Sequence, residues 1–310
     1  MTILTVGASG ATGKRLVEEL LNRGHHVKAI VRSPDRLPDN LRNHAALDLI
    51  QASILELSDK EMEQHVAGCD AIASCLGHNL TFKGLYGKPR RLVTEATRRL
   101  CMAIKANGPA TSTRYVLMNT VANRNRDLNE PIPFAQKIMI GMLRLILPPH
   151  ADNEQAAEYL RTVIGQHDKT IEWAAVRPSS LIDEDKASEI EVYPSPTRSI
   201  VNDGQVSRVN VAHFMADLIT NDTSIRFYFF FPRPTHSDPS SLSFKVSPQS
   251  SKSRQKILHL GQFNLGLGLG CLSTTCKNIE DQATSVNYFD LQSFFNNADL
   301  FTGQIIIKNS

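Results

Sequence analysis

The chain of 310 residues carries a formal net charge of +3, with 41% hydrophobic and 21% charged residues. These values are typical of a soluble folded protein, and so small a net charge does not indicate a nucleic-acid-binding surface. No apolar run reaches the roughly 18–20 residues that a membrane-spanning helix needs. The five cysteines are few and odd in number, which argues against a disulfide scaffold, and their spacing predicts no metal site. We therefore expect a cytoplasmic protein with no membrane or nucleic-acid partner.

Residues 1–221 alternate short apolar segments with longer amphipathic ones. The apolar segments predict strands and the stretches between them predict helices, as in parallel βαβ units. Right-handed crossovers in such units place helices on both faces of the sheet. The pattern therefore predicts an α/β fold, a Rossmann-like doubly wound parallel sheet. In chain order the segments are Ile3–Val6, Gly13–Arg23, Val27–Arg32, Ala46–Ile50, Asp59–Val66, Ala71–Leu76, Arg90–Ala106, Tyr115–Met118, Asn153–Ile164 and Ile171–Val176.

A glycine-rich loop, VGASGATG at residues 6–13, follows the first predicted strand and opens the first predicted helix. In the spacing G-x-x-G-x-x-G, the first glycine permits a tight turn and the second lets the backbone approach a pyrophosphate. The third allows close helix–strand packing. Free N–H groups and the positive dipole end of the helix favour phosphate binding. A purely structural turn is the alternative. We predict a dinucleotide site at Gly7, Ser9, Gly10, Ala11, Thr12 and Gly13.

The end of the second predicted strand distinguishes between the two nicotinamide dinucleotides. A site for NAD places Asp or Glu about 20 residues beyond the glycine loop, where it binds the ribose 2′-hydroxyl. This chain has Arg32 there, and Arg36 follows four residues later. Guanidinium groups pair with a 2′-phosphate through charge-assisted hydrogen bonds. We therefore predict NADP(H) in preference to NAD(H); a solvated arginine on a loop is the alternative.

The composition changes near residue 221. Residues 222–310 contain ten of the 13 phenylalanines and none of the seven methionines, and residues 235–253 include eight serines. Such a serine-rich stretch buries too little apolar surface to offset its ordering entropy. We predict an NAD(P)-binding domain at 1–221 and a low-complexity, disordered and weakly structured C-terminal tail at 222–310. Ile225–Phe231 could add a last strand, and truncation after Pro234 is then expected to preserve the fold and cofactor affinity.

Several further segments accompany the glycine loop in a fixed order. They are IVRSPDRL at 30–37, DAIASCLG at 70–77, YVLMNT at 115–120, AAEYLR at 156–161, WAAVRPSSL at 173–181 and SRVNVAHFMADLI at 207–219. With these segments, residues 1–221 resemble an atypical short-chain dehydrogenase/reductase of the NmrA-like or NAD(P)H-binding kind, a group that includes flavin and biliverdin reductases. The resemblance implies further cofactor-binding residues: Ser53 and Ile54 at the adenine, Cys75, Leu76 and Gly77 under the ribose, and Asn119, Thr120 and Pro178 towards the nicotinamide. For Ile54 and Leu76, burial in the core is an equally good explanation.

The Tyr-x-x-x-Lys pair of the larger dehydrogenase/reductase family is absent from residues 1–221, and alignment places His150 where the tyrosine would lie. Hydride transfer to an electron-poor conjugated ring needs no such pair, since the cofactor supplies the chemistry and the protein orients the rings. His150 could deliver the proton, with Asp152 orienting it, and Thr120 could bind the carboxamide or the substrate. The alternatives are an exposed turn histidine and a structural strand-end hydroxyl.

Two functions fit these observations. The first is an NADPH-dependent oxidoreductase that transfers hydride to a small aromatic or conjugated acceptor such as a quinone or flavin. The second is a non-catalytic NADP(H)-sensing regulatory protein of the NmrA type. The missing Tyr/Lys pair fits both, and the apolar, polar-edged substrate side favours the enzyme. The expected partners are a small-molecule substrate and either a second copy of the chain, as a homodimer, or a regulated protein.

Overall fold

A computed structural model describes residues 1–78, 89–123, 126, 141–142, 148–193, 204–220, 244–246 and 303–309. The chain divides into two units, Met1–Lys252 together with Phe301–Ser310 and, separately, Ser253–Leu300. The second unit lies outside the described residues, and the elements named below belong to the first.

The elements follow the predicted alternation as far as the sixth strand. The strands in the described ranges are β1 (Thr2–Val6), β2 (His26–Val31), β3 (Leu47–Gln51), β4 (Ala71–Ser74), β5 (Thr113–Met118), β6 (Ile171–Pro178), β7 (Ser180–Ile182), β8 (Ile190–Tyr193), β9 (Gln205–Ser207), β10 (Phe244–Val246) and β11 (Gly303–Asn309). The helices there are α1 (Ala11–Asn22), α2 (Asp39–Arg42), α3 (Asp59–Val66), α4 (Leu92–Asn107), α5 (Pro148–Tyr159) and α6 (Arg208–Thr220). None of the helices in these ranges has both the length and the apolar character needed to cross a bilayer.

The main sheet has the strand order β10-β8-β11-β6-β5-β4-β1-β2-β3. Neighbouring strands from β3 to β11 run parallel, whereas β8 pairs antiparallel with both β11 and β10. The chain order reverses between β1 and β4, and α/β sheets bind ligands at the carboxyl ends of strands at such a point. The prediction of a Rossmann-like doubly wound parallel sheet is confirmed.

Helices cover both faces of this sheet. On one face, Leu16 of α1 and Phe214 of α6 are buried in the same core as Ile3 of β1. On the other face, Leu100 of α4 is buried in the core that contains Leu4 of β1. Successive strand residues point to opposite faces, so the adjacent residues Ile3 and Leu4 belong to different cores. Burial on both faces explains why the central strands are mainly apolar.

The strand β11 comes from the region predicted to be a disordered extension. It pairs in parallel with β6, from Gly303 opposite Ala174 to Ile307 opposite Pro178, and antiparallel with β8. Ile307 is fully buried. Truncation after Pro234 would remove β10 and β11 from the sheet, so this pairing counts against the expectation that such a truncation preserves the fold. The rest of 222–310, including Ile225–Phe231, lies outside the described residues, so the boundary at 221 stays a prediction.

Candidate functional site

The glycine loop has the tight turn and the close helix packing that its sequence predicts. Gly7 has a φ of 77°, and a Cβ at this position would lie 2.5 Å from the carbonyl carbon and oxygen of Cys75. A Cβ at Gly13 would collide with the carbonyl group of Gly7. The Gly10 N–H donates to the Gly7 carbonyl at 3.0 Å and closes the turn. Side chains are therefore excluded where the loop passes β4 and where α1 packs against the loop.

The amino end of α1 is open to a ligand. The helix begins at Ala11, directly after Gly10, without a side-chain cap and without an acidic residue in its first turn. The Lys14 N–H makes the first intrahelical bond, to the Gly10 carbonyl. The N–H groups of the residues before it have no partner within the helix, and the helix dipole adds positive potential. Ser9 and Gly10 are half-buried, Ala11 is exposed and Thr12 is buried at this end. The loop and the helix end therefore fit a pyrophosphate.

The predicted adenine side lies at the carboxyl ends of β2 and β3. Arg32 follows β2 and is exposed, as is Arg36 in the short turn after it. The intervening carboxylate of Asp35 is paired with Arg42 at 2.7 Å. Ser53 is half-buried in the loop after β3. The Ile54 side chain is 6% exposed and packs in the core, as the alternative explanation for this residue predicts.

Arg99 on α4 holds the loop after β3, a role that the sequence analysis missed. Its guanidinium donates to the Ile54 carbonyl at 3.2 Å, to the Leu57 carbonyl, and to Asp59 at 2.9 Å. These partners lie 40 to 45 residues away in sequence, and the arginine is only 9% exposed. A guanidinium presents several donors in a fixed plane, so one side chain satisfies a whole loop. The only sequence signal is an arginine on the apolar face of a predicted helix.

The residues that are predicted to lie under the ribose follow β4. Cys75 is buried, its N–H donates to the Val6 carbonyl at 2.9 Å, and burial raises the pKa of its thiol to about 12. A thiol with so high a pKa is a packing group and not a nucleophile at neutral pH. Leu76 is half-buried against the core and Gly77 is exposed. The backbone of Cys75 and Leu76 thus lies beside the glycine loop, and the place of these residues under the ribose stays a prediction.

The strand end after β5 is held by asparagines. The Asn119 side chain donates to the Asn153 carbonyl of α5 at 3.1 Å and accepts from the Thr120 N–H and from Asn123. Asn119 is buried, whereas Thr120 is half-buried with a hydroxyl that accepts from the Ala122 N–H at 3.4 Å. Asn119 therefore joins β5 to α5, and the Thr120 hydroxyl has the structural contact that the alternative explanation predicts.

Pro178 ends β6, and its carbonyl accepts from the Val121 N–H at 3.1 Å. It is buried beside the strand end of β5, and its place on the nicotinamide side stays a prediction. His150 lies half-buried in the first turn of α5. The roles of His150 and Thr120 in catalysis stay predictions.

Asp152, which the sequence analysis assigned to His150, contacts a different histidine. Its carboxylate accepts from His78 Nε2 at 2.7 Å and from the N–H groups of Val93 and Thr94 at 2.8 and 2.9 Å. Burial opposes ionisation, but the hydrogen bonds from His78, Thr94 and Val93 outweigh it and lower the pKa of this carboxyl. The His78–Asp152 pair therefore joins the loop after β4 to α4 and α5. No local motif reveals it, since its members are 74 residues apart.

Comparison with known families agrees with this geometry. A model described as NAD(P)H-binding matches residues 7–222, from the first loop glycine to the end of α6. The chain belongs to this NAD(P)H-binding family. The match begins directly after β1 and includes β2 to β6, most of the strands on whose order the candidate site depends. The family match thus confirms the predicted resemblance to proteins of the NAD(P)H-binding kind.

Two curated plant proteins are similar to this chain at low sequence identity over most of its length. An uncharacterized chloroplast protein of Arabidopsis thaliana is 24% identical over 222 residues, which cover 72% of this chain and 73% of the relative. The chloroplast divinyl chlorophyllide a 8-vinyl-reductase of the same plant is 22% identical over 240 residues. That alignment covers 73% of this chain but only 51% of the reductase.

Solved structures share the fold of this NAD(P)H-binding protein at low identity. An oxidoreductase from Lactococcus lactis has a TM-score of 0.52 and 18% identity, covering 72% of this chain and 87% of that one. An anaerobillin reductase from Escherichia coli O157:H7 has the same TM-score and identity, covering 72% and 92%. At this level of identity the likeness concerns the fold alone.

Proposed function

We propose that the protein is an NADPH-dependent reductase of small aromatic or conjugated acceptors such as quinones or flavins. The observation that carries the nucleotide assignment is the open amino end of α1 beside a loop in which Gly7 and Gly13 leave no room for a Cβ. Bound NADPH would supply the hydride, and the protein would hold and orient both rings.

The preference for NADPH rests on the charges after β2. Arg32 and Arg36 are exposed there, and Asp35, the carboxylate between them, is engaged by Arg42. An exposed guanidinium without a competing carboxylate favours a 2′-phosphate over a ribose 2′-hydroxyl. The alternative is that Arg32 is only a solvated loop residue, and it predicts equal affinity for both dinucleotides.

The choice of a conjugated acceptor rests on Tyr115 and Tyr159, tyrosines whose side chains lie in the described part of the chain. Tyr115 is fully buried in β5 and donates to the Thr97 hydroxyl at 3.1 Å, and burial raises the pKa of its phenol. Tyr159 lies at the carboxyl end of α5, and burial raises the pKa of its phenol too. Neither phenol is suited to protonate a ketone oxygen at neutral pH. An acceptor that already stabilises negative charge depends less on such an acid.

Titration with NADPH and NADH by calorimetry tests the cofactor assignment. We expect NADPH to bind at least tenfold more tightly than NADH, and Arg32→Ala to lose about 1.5–3 kcal/mol of NADPH binding with NADH affinity unchanged. Lys169→Ala is the matched control, because Lys169 is an exposed cation before the amino end of β6, four strands away from β2 in the sheet. Equal affinity of the wild type for both dinucleotides would refute the NADPH preference.

A screen of quinones and flavins with bound NADPH tests the reductase assignment. We expect NADPH oxidation that depends on the acceptor and is abolished when the dinucleotide cannot bind. Tight binding of NADPH with no turnover of any acceptor would instead support the NADP(H)-sensing alternative. In that case a protein partner that binds in one redox state only would be the observation to seek.

A further inference from the structure

A buried histidine–carboxylate pair lies where three elements meet. His78 Nε2 and Asp152 Oδ2 are 2.7 Å apart, and the two side chains are 6% and 0% exposed. His78 directly follows Gly77 in the loop after β4. Asp152 lies in α5, and its neighbour Asn153 accepts a hydrogen bond from Asn119 at the end of β5. The pair therefore lies by the carboxyl ends of β4 and β5.

This location corresponds to the nicotinamide half of the proposed cofactor. A dinucleotide lies across the crevice of such a sheet with its pyrophosphate on the loop after the first strand. That loop follows β1, and Arg32 follows β2, so the adenosine half would extend towards β2 and β3. The other half would extend in the opposite direction, towards β4 and β5. The loop carrying His78 therefore lies on the side of the sheet where the reacting end of a bound dinucleotide would be held.

The hydrogen bonds define which imidazole nitrogen exchanges a proton. The Asp152 carboxylate accepts from Val93 and Thr94 at the amino end of α4, whose dipole also favours a negative charge. The carboxylate can only accept from His78, so Nε2 carries a hydrogen. Proton exchange is therefore confined to Nδ1. A carboxylate behind an imidazole fixes its orientation and stabilises the imidazolium, as in hydrolase triads.

We propose that His78 is the proton donor of this reductase and that Asp152 is its positioning residue. The inference rests on the proposed function. Reduction of a quinone or flavin consumes one hydride, supplied by NADPH, and one proton. His78 gives the proton from Nδ1 to the acceptor oxygen or nitrogen that has become anionic, becomes a neutral imidazole, and regains a proton from solvent. Its shielded position limits loss of the proton to bulk water before transfer.

Kinetics of variants with bound NADPH test this role. We expect His78→Gln to lower kcat about 10²–10³-fold. The fall in kcat at high pH that a single acid causes in the wild type should be absent from this variant. Its affinity for NADPH should change less than threefold. External imidazole should restore turnover to His78→Ala, which a merely structural histidine would not allow. Asp152→Asn should lower kcat less than His78→Gln does, because it weakens the positioning contact and leaves the donor in place. His167→Gln, an exposed histidine before β6, is the matched control.

A second measurement does not depend on turnover. The ring N–H signal of His78, assigned by its loss in His78→Gln, is followed by NMR in the wild type and in Asp152→Asn. We expect the wild-type Nε2–H, held by the Asp152 carboxylate at 2.7 Å, to exchange with water more slowly than the same hydrogen in Asp152→Asn. Equal exchange in both proteins would show that Asp152 does not hold Nε2–H, and it would overturn the pair even if a His78 variant failed to fold.

The outcomes separate this inference from the function on which it rests. If the wild type reduces no quinone or flavin, the proposed function fails and the donor role with it. If the wild type reduces them and His78→Gln keeps its kcat and pH profile, only the donor role fails. Loss of the fall in kcat at high pH in His150→Gln but not in His78→Gln would assign the proton to His150 and would likewise overturn the inference.

Discussion

Gly7 differs from an ordinary turn glycine because two constraints act on it at once. Its φ of 77° lies in the left-handed region, and a Cβ would lie 2.5 Å from backbone atoms of Cys75. Gly24, with a φ of 79°, has open space where its Cβ would be. The two positions therefore separate the cost of the backbone conformation from the cost of the collision.

We expect Gly24→Ala to lower the free energy of unfolding by about 1–2 kcal/mol, the cost of a left-handed conformation. Gly7→Ala should lower it by more, because the backbone of β1 or β4 must also move. It should also lose NADPH affinity by tenfold or more, whereas Gly24→Ala should bind normally. Urea unfolding and calorimetric titration of both variants measure this, and equal losses in stability would contradict the close approach.

At this scale the sequence reveals what is local. The roles of Gly7, Gly10 and Gly13 can be predicted because one turn and one helix start fix their spacing. Arg32 can be predicted because it follows a predicted strand. The contacts of Arg99 and of the His78–Asp152 pair cannot be predicted from local sequence. Their partners are 40 to 74 residues distant, and which side chains meet depends on how α4 and α5 pack on the sheet.

Helices α1 and α6 are joined by a set of charged side chains on the face that they share. Arg23 of α1 donates to Glu19 at 2.8 Å and to Asp217 of α6 at 2.7 Å, and His213 Nδ1 lies 3.0 Å from Glu19. The hydrogen bond from His213 lowers the pKa of Glu19, burial raises it, and Arg23 lowers it further, to about 2. The ionised Glu19 is therefore part of the contact between the two helices.

The shift in the Glu19 pKa makes the stability contribution of this residue depend on pH. A carboxyl with a folded pKa of about 2, against an ordinary value of 4.5, stabilises the fold fully above pH 4.5. The contribution is lost as the pH falls from 4.5 towards 2. Glu19→Gln should therefore lower the free energy of unfolding by about 2 kcal/mol at pH 7, a figure reduced for partial exposure, and by much less near pH 2.5.

Denaturant unfolding of the wild type and Glu19→Gln at the two pH values checks this prediction. Glu18→Gln is the matched control, since Glu18 is the exposed neighbour on α1, and its effect should be within 0.5 kcal/mol at both pH values. If Glu19→Gln lowers the free energy of unfolding by the same amount at both pH values, the lost contact is steric and not electrostatic.

The elements themselves are unequally predictable. β1 to β6 and the helices between them follow from apolar runs separated by amphipathic stretches. The strands β7, β9 and β10 have three residues each, too few for a periodic pattern. β11 is longer, but its pairing with β6 joins residues about 130 positions apart across the sequence, and composition alone placed it in a disordered tail.

For the molecule as a whole, β11 connects the carboxyl end of the chain to the candidate site. It inserts between β6 and β8, and the Ile307 carbonyl accepts from both the N–H and the hydroxyl of Ser179 at 3.3 Å. Ser179 follows Pro178, the residue that ends β6 on the predicted nicotinamide side. The last strand of the chain therefore fixes a residue beside the site, although it lies outside the range that the family model matches.

This arrangement predicts that the sheet depends on a residue near the end of the sequence. Ile307 is fully buried, so Ile307→Ala should lower the free energy of unfolding by about 2–5 kcal/mol. Ile307→Val removes a single methylene from the same place and should cost about 0.5–1.5 kcal/mol. Urea unfolding of the two variants, with NADPH affinity measured alongside, tests this.

A chain that ends at Lys252 lacks β11 altogether and should be less stable than either variant, because β6 and β8 lose their shared neighbour. If that truncated chain unfolds at the wild-type midpoint, β11 contributes nothing to the stability of the sheet, and residues 1–252 fold without it.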